Sequence, residues 1–130
     1  DGTSKLGYTT KGKIGFMICT DMWFPQKARE YGKDGVQIIL IPRSTPVGTS
    51  DKWIACGRTD AVVSGAYCLS SNWDGTSPAG GQFAGKGWII EPAAGTVLGI
   101  TSASDPFLTL DIDLKKADLA KSTYPRYVHD

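Results

Sequence analysis

Charge imbalance is missing from this sequence: 14 lysines and arginines stand against 13 aspartates and glutamates in 130 residues, a formal net charge of +1. That leaves no basic footprint, so no nucleic-acid partner is expected. Long hydrophobic runs are missing too. The longest, around residues 36–42, carries a glutamine and falls far short of the roughly 18 to 20 apolar residues that cross a bilayer, so no membrane partner is expected either. Histidine occurs once, at His129, and cysteine three times, at Cys19, Cys56 and Cys68, with long unequal spacings. Such spacings offer neither a disulfide framework nor a CxxC pair. With one histidine there is no ligand cluster, so no metal or cofactor is expected, and a reducing, cytoplasmic setting fits best. The glycines of residues 80–87 precede no GKS or GKT and open no helix, which excludes a phosphate loop. Glutamate is confined to Glu30 and Glu91. The chain opens at Asp1 with no basic-then-apolar leader, and processing or truncation of a longer chain is the expectation.

What is present reads as alternating strands and helices. Ile14, Phe16 and Ile18 share one face of a run in which Gly15, Met17 and Cys19 share the other, the period of a buried strand. Residues 21–25 break it, and Pro25 fits the first position of a helix ending near Gly32 or Gly35. Residues 36–42 are almost continuously apolar and β-branched, as in a strand covered on both faces and parallel to the first. Ser50 or Asp51 is placed to cap a second helix that Gly65 closes, with Trp53, Ile54, Gly57 and Ala61 on its packed face. A strand over residues 66–71 follows, then a glycine- and serine-rich loop over residues 72–87 whose length marks it as functional or mobile. Strands over residues 87–91 and 96–101 make a hairpin through Pro92-Ala93-Ala94-Gly95. Residues 108–113 alternate as a sixth strand, and the tail from Leu114 begins helical and ends irregular at Pro125. The pattern gives an α/β chain with one mixed β-sheet and helices on one face. The other face lacks a cover and is expected to pack against another sheet, from a second chain or a missing segment.

Cys19 falls where the first strand meets the helix. Backbone N–H groups at such a turn bind an oxyanion and a helix start favours thiolate, so a nucleophile and a small packed thiol are the two readings there. Cys56, in a helix, and Cys68, in a strand, read as structural. Thr20, directly after the turn, offers its backbone N–H to an oxyanion. Asp21 either holds the turn or is a helix-start acid favoured by the dipole. Trp23 and Phe24 either line a pocket or pack. Arg43, just past a strand, either takes a substrate carboxylate or phosphate bidentately or is a solvated loop arginine.

The run Gly15-Phe16-Met17-Ile18-Cys19-Thr20-Asp21-Met22-Trp23-Phe24-Pro25-Gln26, with Ala28-Arg29 and then Gly35-Val36-Gln37-Ile38-Ile39-Leu40-Ile41-Pro42, resembles the nucleophile segment of the nitrilase or carbon–nitrogen hydrolase superfamily. It is most similar to the C-x-D-x-W-F-P-E spelling of the amidase and N-carbamoyl-amine hydrolase branches. The likeness continues through Trp53 and Arg58, Ser71-Asn72, Phe83-Ala84-Gly85-Lys86-Gly87, Ile89-Ile90-Glu91-Pro92 and Gly95, nearly the whole chain. Gln26 departs from the usual glutamate and Gly87 from a frequent serine. The resemblance implies half of an α-β-β-α sandwich. It implies hydrolysis of a non-peptide C–N bond, in a linear amide or carbamoyl amine before a nitrile, by Cys19 through a thioester that releases ammonia or amine. Asp21 then matches the family's aspartate near the site.

In that family the general-base glutamate and the lysine precede the cysteine. Here the 18 residues before Cys19 hold no glutamate, and Lys5, Lys11 and Lys13 read as solvated charges. The expectation is that residues 1–130 are the C-terminal half of a carbon–nitrogen hydrolase domain, inactive alone. A missing N-terminal half or a second chain completes it, its substrate is a small amide-type molecule, and it assembles as a homo-oligomer as family members do. Two other readings stand beside this one: a self-contained thiol hydrolase pairing Cys19 with His129, and a non-catalytic binding or regulatory domain that keeps the fold.

Overall fold

Strands and helices alternate through the front of the chain and give way to antiparallel hairpins behind. A computed structural model describes residues 6–8 and 11–130. Its elements are β1 (Leu6–Tyr8), β2 (Lys13–Phe16), α1 (Pro25–Lys33), β3 (Ile38–Arg43), α2 (Ser50–Ser64), β4 (Tyr67–Asn72), β5 (Asp74–Thr76), β6 (Gln82–Ala84), β7 (Trp88–Ile90), β8 (Val97–Ile100) and α3 (Leu114–Ala120). Six strands form one mixed sheet in the order β1-β2-β3-β4-β7-β8, while β5 and β6 make a separate hairpin. The central β2, β3 and β4 are parallel and the outer strands antiparallel to their neighbours. The expectation for Lys5 lies outside the described residues.

Both long helices cover one face. Pro25 occupies the start of α1, where its missing N–H leaves no bond unmade, and Ala28 and Tyr31 turn inward, fully buried. On α2, Trp53, Cys56, Gly57, Asp60, Ala61 and Ser64 are buried at helical spacing. Gly57 lets the helix sit down on the sheet, for a Cβ there would stand 2.4 Å from the Trp88 ring. The two helices touch backbone to backbone, since a Cβ on Gly32 would stand 2.4 Å from the Ser64 carbonyl oxygen. Gly65, at φ +66°, closes α2 with its amide on the Ala61 carbonyl at 2.8 Å. The short α3 seats Ala117 and Ala120 inward, and Lys121 after it donates to the Gly65 carbonyl at 2.6 Å.

Five expectations need correction. Residues 108–113 form no strand, and the sixth place in the sheet belongs to β1. The segment instead crosses the sheet's second face, with Leu108 packed where Gly99 has no side chain and the Asp113 carbonyl accepting from the Tyr67 hydroxyl at 3.1 Å. Lying face-on produces the same alternation as pairing along an edge. Neither Ser50 nor Asp51 caps α2: the N-cap is Thr49, and the Thr49 and Ser50 hydroxyls donate backwards to Pro46 and Val47 carbonyls. The strand β3 is covered on one face only, with Ile39 and Ile41 buried, Ile38 and Leu40 half-buried, and Pro42 exposed. The loop over residues 72–87 contains β5 and β6. Lys13 is also no free surface charge, since its ammonium donates to the Asp34 carbonyl.

The second sheet face is open. Phe16, Leu40, Leu69 and Ile89 floor a groove of about 600 Å³ walled by Phe107 and Leu108. Phe16 remains 47% and Ile18 65% exposed.

Candidate active site

The carboxyl ends of β2, β3 and β4 meet at one edge of the sheet, where open α/β sheets place their ligands. After Phe16 the chain enters a 3-10 turn, Cys19–Trp23, that leads into α1. Cys19 takes a φ of +49°, alone among the described non-glycine residues in the left-handed region. Such backbone costs about 1–3 kcal/mol and persists only where its surroundings over-determine it.

Four contacts hold it here. The Tyr31 hydroxyl donates to the Phe16 carbonyl at 2.7 Å and accepts from the Phe16 amide at 3.2 Å, fixing the end of β2. The Asp21 carboxylate accepts from the Ile18 amide at 3.0 Å and pairs with Lys27 at 2.8 Å. The Lys27 hydrogen bond, then that of Ile18, holds the Asp21 carboxyl below its ordinary range. The Cys56 thiol donates to the Met22 carbonyl at 2.9 Å. Trp23 lies against Trp53 with ring centroids 5.1 Å apart. All three cysteines are free, Cys19 half-buried and the others buried. Burial pushes the Cys56 thiol up to about 12 and Cys68 well above its ordinary value, so both stay neutral.

Arg43 is not a solvated loop arginine. It ends β3 with 7% of its surface exposed. Its Nε donates to Ser70 Oγ at 2.6 Å, Nη1 to Thr45 Oγ1 at 2.9 Å and Nη2 to the Lys86 carbonyl at 2.6 Å. The guanidinium carbon lies 5.1 Å from the Trp88 ring and 5.9 Å from that of Trp53. Asn72, in register with Arg43, clasps the next loop, accepting from the Thr45 amide at 2.9 Å and donating to its carbonyl at 3.2 Å. Beyond it Trp73 meets Phe83 edge-on at 4.9 Å, and Phe83 pairs with Pro46, which ties the β5–β6 hairpin to the loop before α2.

The other expected residues divide. Thr20 is exposed directly after Cys19. Trp23 packs on Trp53 yet stays 42% exposed, and Phe24 is 48% exposed beneath the Lys27 ammonium. Gln26 is exposed, and the ion pair of this turn runs through Lys27 instead. Gly87 leaves no space for a side chain: a Cβ would stand 2.5 Å from the Ser70 carbonyl oxygen, and Thr101 Oγ1 accepts from the Gly87 amide at 2.7 Å. His129 lies next to Asp130, which binds Arg29 and Lys33 on α1, whereas Cys19 precedes the Pro25 end of that helix. Sequence reasoning missed Tyr31 and Ser70 as supports, while the structural reading of Cys56 agrees with its bond to Met22. Only strand parity on β4, which puts Ser70 on the face of Cys68, offered a signal.

A mixed α/β sheet with its helices on one face and a cysteine turn at the end of a central parallel strand is the layered arrangement of the nitrilase fold. The chain belongs to the carbon-nitrogen hydrolase family, whose profile matches residues 2–122. It is 26% identical over 109 residues to 2-oxoglutaramate amidase of Bacillus subtilis, covering 84% of this chain and 41% of that protein. It is 30% identical over 105 residues to an omega-amidase of Mus musculus, covering 80% of this chain and 38% of that protein. The crystal structure of Nit3 of Saccharomyces cerevisiae, a nitrilase-superfamily protein, shares the fold with a TM-score of 0.82 at 20% identity, over 96% of this chain and 46% of that one. The chain spans less than half the length of the curated relatives it matches. No helix among the described residues is long and apolar enough to cross a membrane.

Proposed function

We propose that this chain carries the nucleophile of an amidase-type carbon–nitrogen hydrolase. The observation that carries the reading is Cys19, held in left-handed backbone at the carboxyl end of a central parallel strand. Its Sγ attacks the carbonyl carbon of a small amide or carbamoyl amine, and the electron pair moves to oxygen. The Thr20 N–H stabilises that oxyanion. Collapse breaks the C–N bond, the departing nitrogen takes up a proton and leaves as ammonia or amine, and a thioester remains on Cys19. Water then attacks the thioester, the acid departs and the thiol regains its proton. Asp21 fixes the turn, while Trp23, Phe24 and Arg43 surround it.

The family's glutamate and lysine belong, on this reading, to the absent N-terminal half or a second chain, which also closes the groove on the open sheet face. Residues 1–130 alone are therefore inactive, and the complete protein works as a homo-oligomer in a reducing, cytoplasmic setting that keeps Cys19 free. The B. subtilis and mouse relatives, both named as amidases, favour an amide over a nitrile. The test is hydrolysis of small amides by the intact protein with Cys19→Ala and, as control, Cys56→Ser, together with a mass shift on the Cys19 peptide after acid quench. Cys19→Ala is expected to lower turnover by at least about 10³-fold. Turnover that survives Cys19→Ala, with no acyl group on the Cys19 peptide, overturns the reading in favour of a different nucleophile.

A further inference from the structure

We propose that Arg43 is the fixed counter-charge of the Cys19 thiolate, a positioning residue that acts on the charge of the nucleophile and does not grip substrate. The proposal rests on the reading of Cys19 as the nucleophile. Arg43 is a buried cation whose hydrogen-bond acceptors are all neutral: two hydroxyls and a carbonyl. No carboxylate among the described residues forms an ion pair with it. Buried charges are ordinarily paired because an uncompensated one is costly, so the site calls for an anion.

The parallel register supplies one. Phe16 pairs with Leu40 and the Met17 amide donates to the Leu40 carbonyl at 3.1 Å, so Cys19 and Arg43, each three residues on, stand at the ends of neighbouring strands. Trp53 links them from below, under the guanidinium on one side and against Trp23 of the cysteine turn on the other. Burial draws Arg43 down to about 10, and the charge of Cys19 opposes that fall.

Other charges near the turn are paired, neutral or exposed to solvent. Asp21 is paired with Lys27 of α1. Cys56 of α2 is a neutral thiol, and Asp60, one turn further along α2, is held as the neutral acid by burial. Lys86 offers its carbonyl while its side chain is exposed, and Asp74 on the hairpin side is exposed as well. Among the described residues Arg43 is left as the unbalanced buried positive charge. A bidentate grip on a carboxylate needs two adjacent N–H groups, and Ser70, Thr45 and Lys86 already engage one N–H on each of the three guanidinium nitrogens.

The experiment alkylates Cys19 in the intact protein at pH 7 with iodoacetamide, follows the Cys19 peptide by mass spectrometry, and compares the parent with Arg43→Lys and Arg43→Met. A nearby cation raises the thiolate fraction, so Arg43→Met is expected to react about tenfold more slowly and Arg43→Lys in between. Turnover should fall through kcat alike for neutral and carboxylate-bearing amides, with KM unchanged. Equal alkylation rates overturn the proposal, as does a loss confined to KM for carboxylate-bearing amides, which is the signature of a substrate grip. If Arg43→Met does not fold, Arg43→Gln, which keeps hydrogen-bond donors and removes only the charge, takes its place: alkylation about tenfold slower than the parent is expected, and an equal rate overturns the proposal. Hydrolysis that survives Cys19→Ala sinks the nucleophile reading instead, a separate outcome.

Discussion

At Gly87 and Asp60 the chain carries residues whose neighbours decide their cost. A hydroxymethyl group on Gly87 meets the Ser70 carbonyl oxygen, whose own hydroxyl receives Arg43 Nε. Gly87→Ser is therefore expected to destabilise the fold by roughly 1–3 kcal/mol, read as a shift in urea midpoint, and to slow Cys19 alkylation with it. Asp60 is fully buried, and neither of its carboxyl oxygens has a partner among the described residues. Burial raises its pKa from 3.8 to about 8, so the folded chain keeps a proton that the unfolded chain releases. Folding stability then falls as pH rises from about 4 to about 8, by on the order of 1 kcal/mol per unit, and levels off above. Asp60→Asn should flatten that slope, and urea midpoints at pH 5 and pH 8 measure it.

Among the elements, the β7–β8 hairpin shows the opposite arrangement of a buried acid. Glu91 accepts from the amides of Ala93, Ala94 and Thr96 at 2.8, 2.8 and 2.9 Å and pairs with Lys116 of α3 at 3.1 Å. Burial alone would raise this carboxyl, but the Thr96, Ala93 and Ala94 amides and Lys116 outweigh it and bring it from 4.5 down to about 2. Its contribution, on the order of 3 kcal/mol, is complete above about pH 4.5 and lost as pH falls toward 2. Glu91→Gln should lower the Tm at pH 7 and leave it nearly unchanged at pH 2, by calorimetry. Elements differ likewise in how openly the sequence shows them. Pro25 marks the start of α1 and Gly65 the end of α2 because those signals are local. Residues 108–113 mislead because alternation records which side chains face apolar surface, not whether the backbone has a hydrogen-bonding edge beside it. Burial of Arg43 is invisible for a related reason: Trp53, Ser70 and Trp88, which enclose it, come from three other elements. Cys19 was legible because its whole turn lies in one contiguous run.

For the whole molecule the open sheet face governs behaviour in solution. Phe16, Leu40, Leu69 and Ile89 present a contiguous apolar groove, larger than isolated surface side chains explain. The 130-residue chain by itself is expected to bind an apolar dye and to associate with rising concentration, and Phe16→Glu should reduce both, by fluorescence and sedimentation. Dye binding equal to that of an ordinary globular domain would contradict the open face.

The contact of Gly32 with Ser64 joins α1 and α2 into one block, and Cys56 and Trp53 bolt the cysteine turn to that same block. The Cys19 turn thus sits on an anvil that the two packed helices hold rigid. The small β5–β6 hairpin is attached more lightly, tied back by the Pro46–Phe83 bridge and the Asn72 clasp. Amide hydrogen exchange should accordingly be faster in residues 74–84 than in residues 50–64. Exchange of that loop should then leave the Cys19 turn undisturbed.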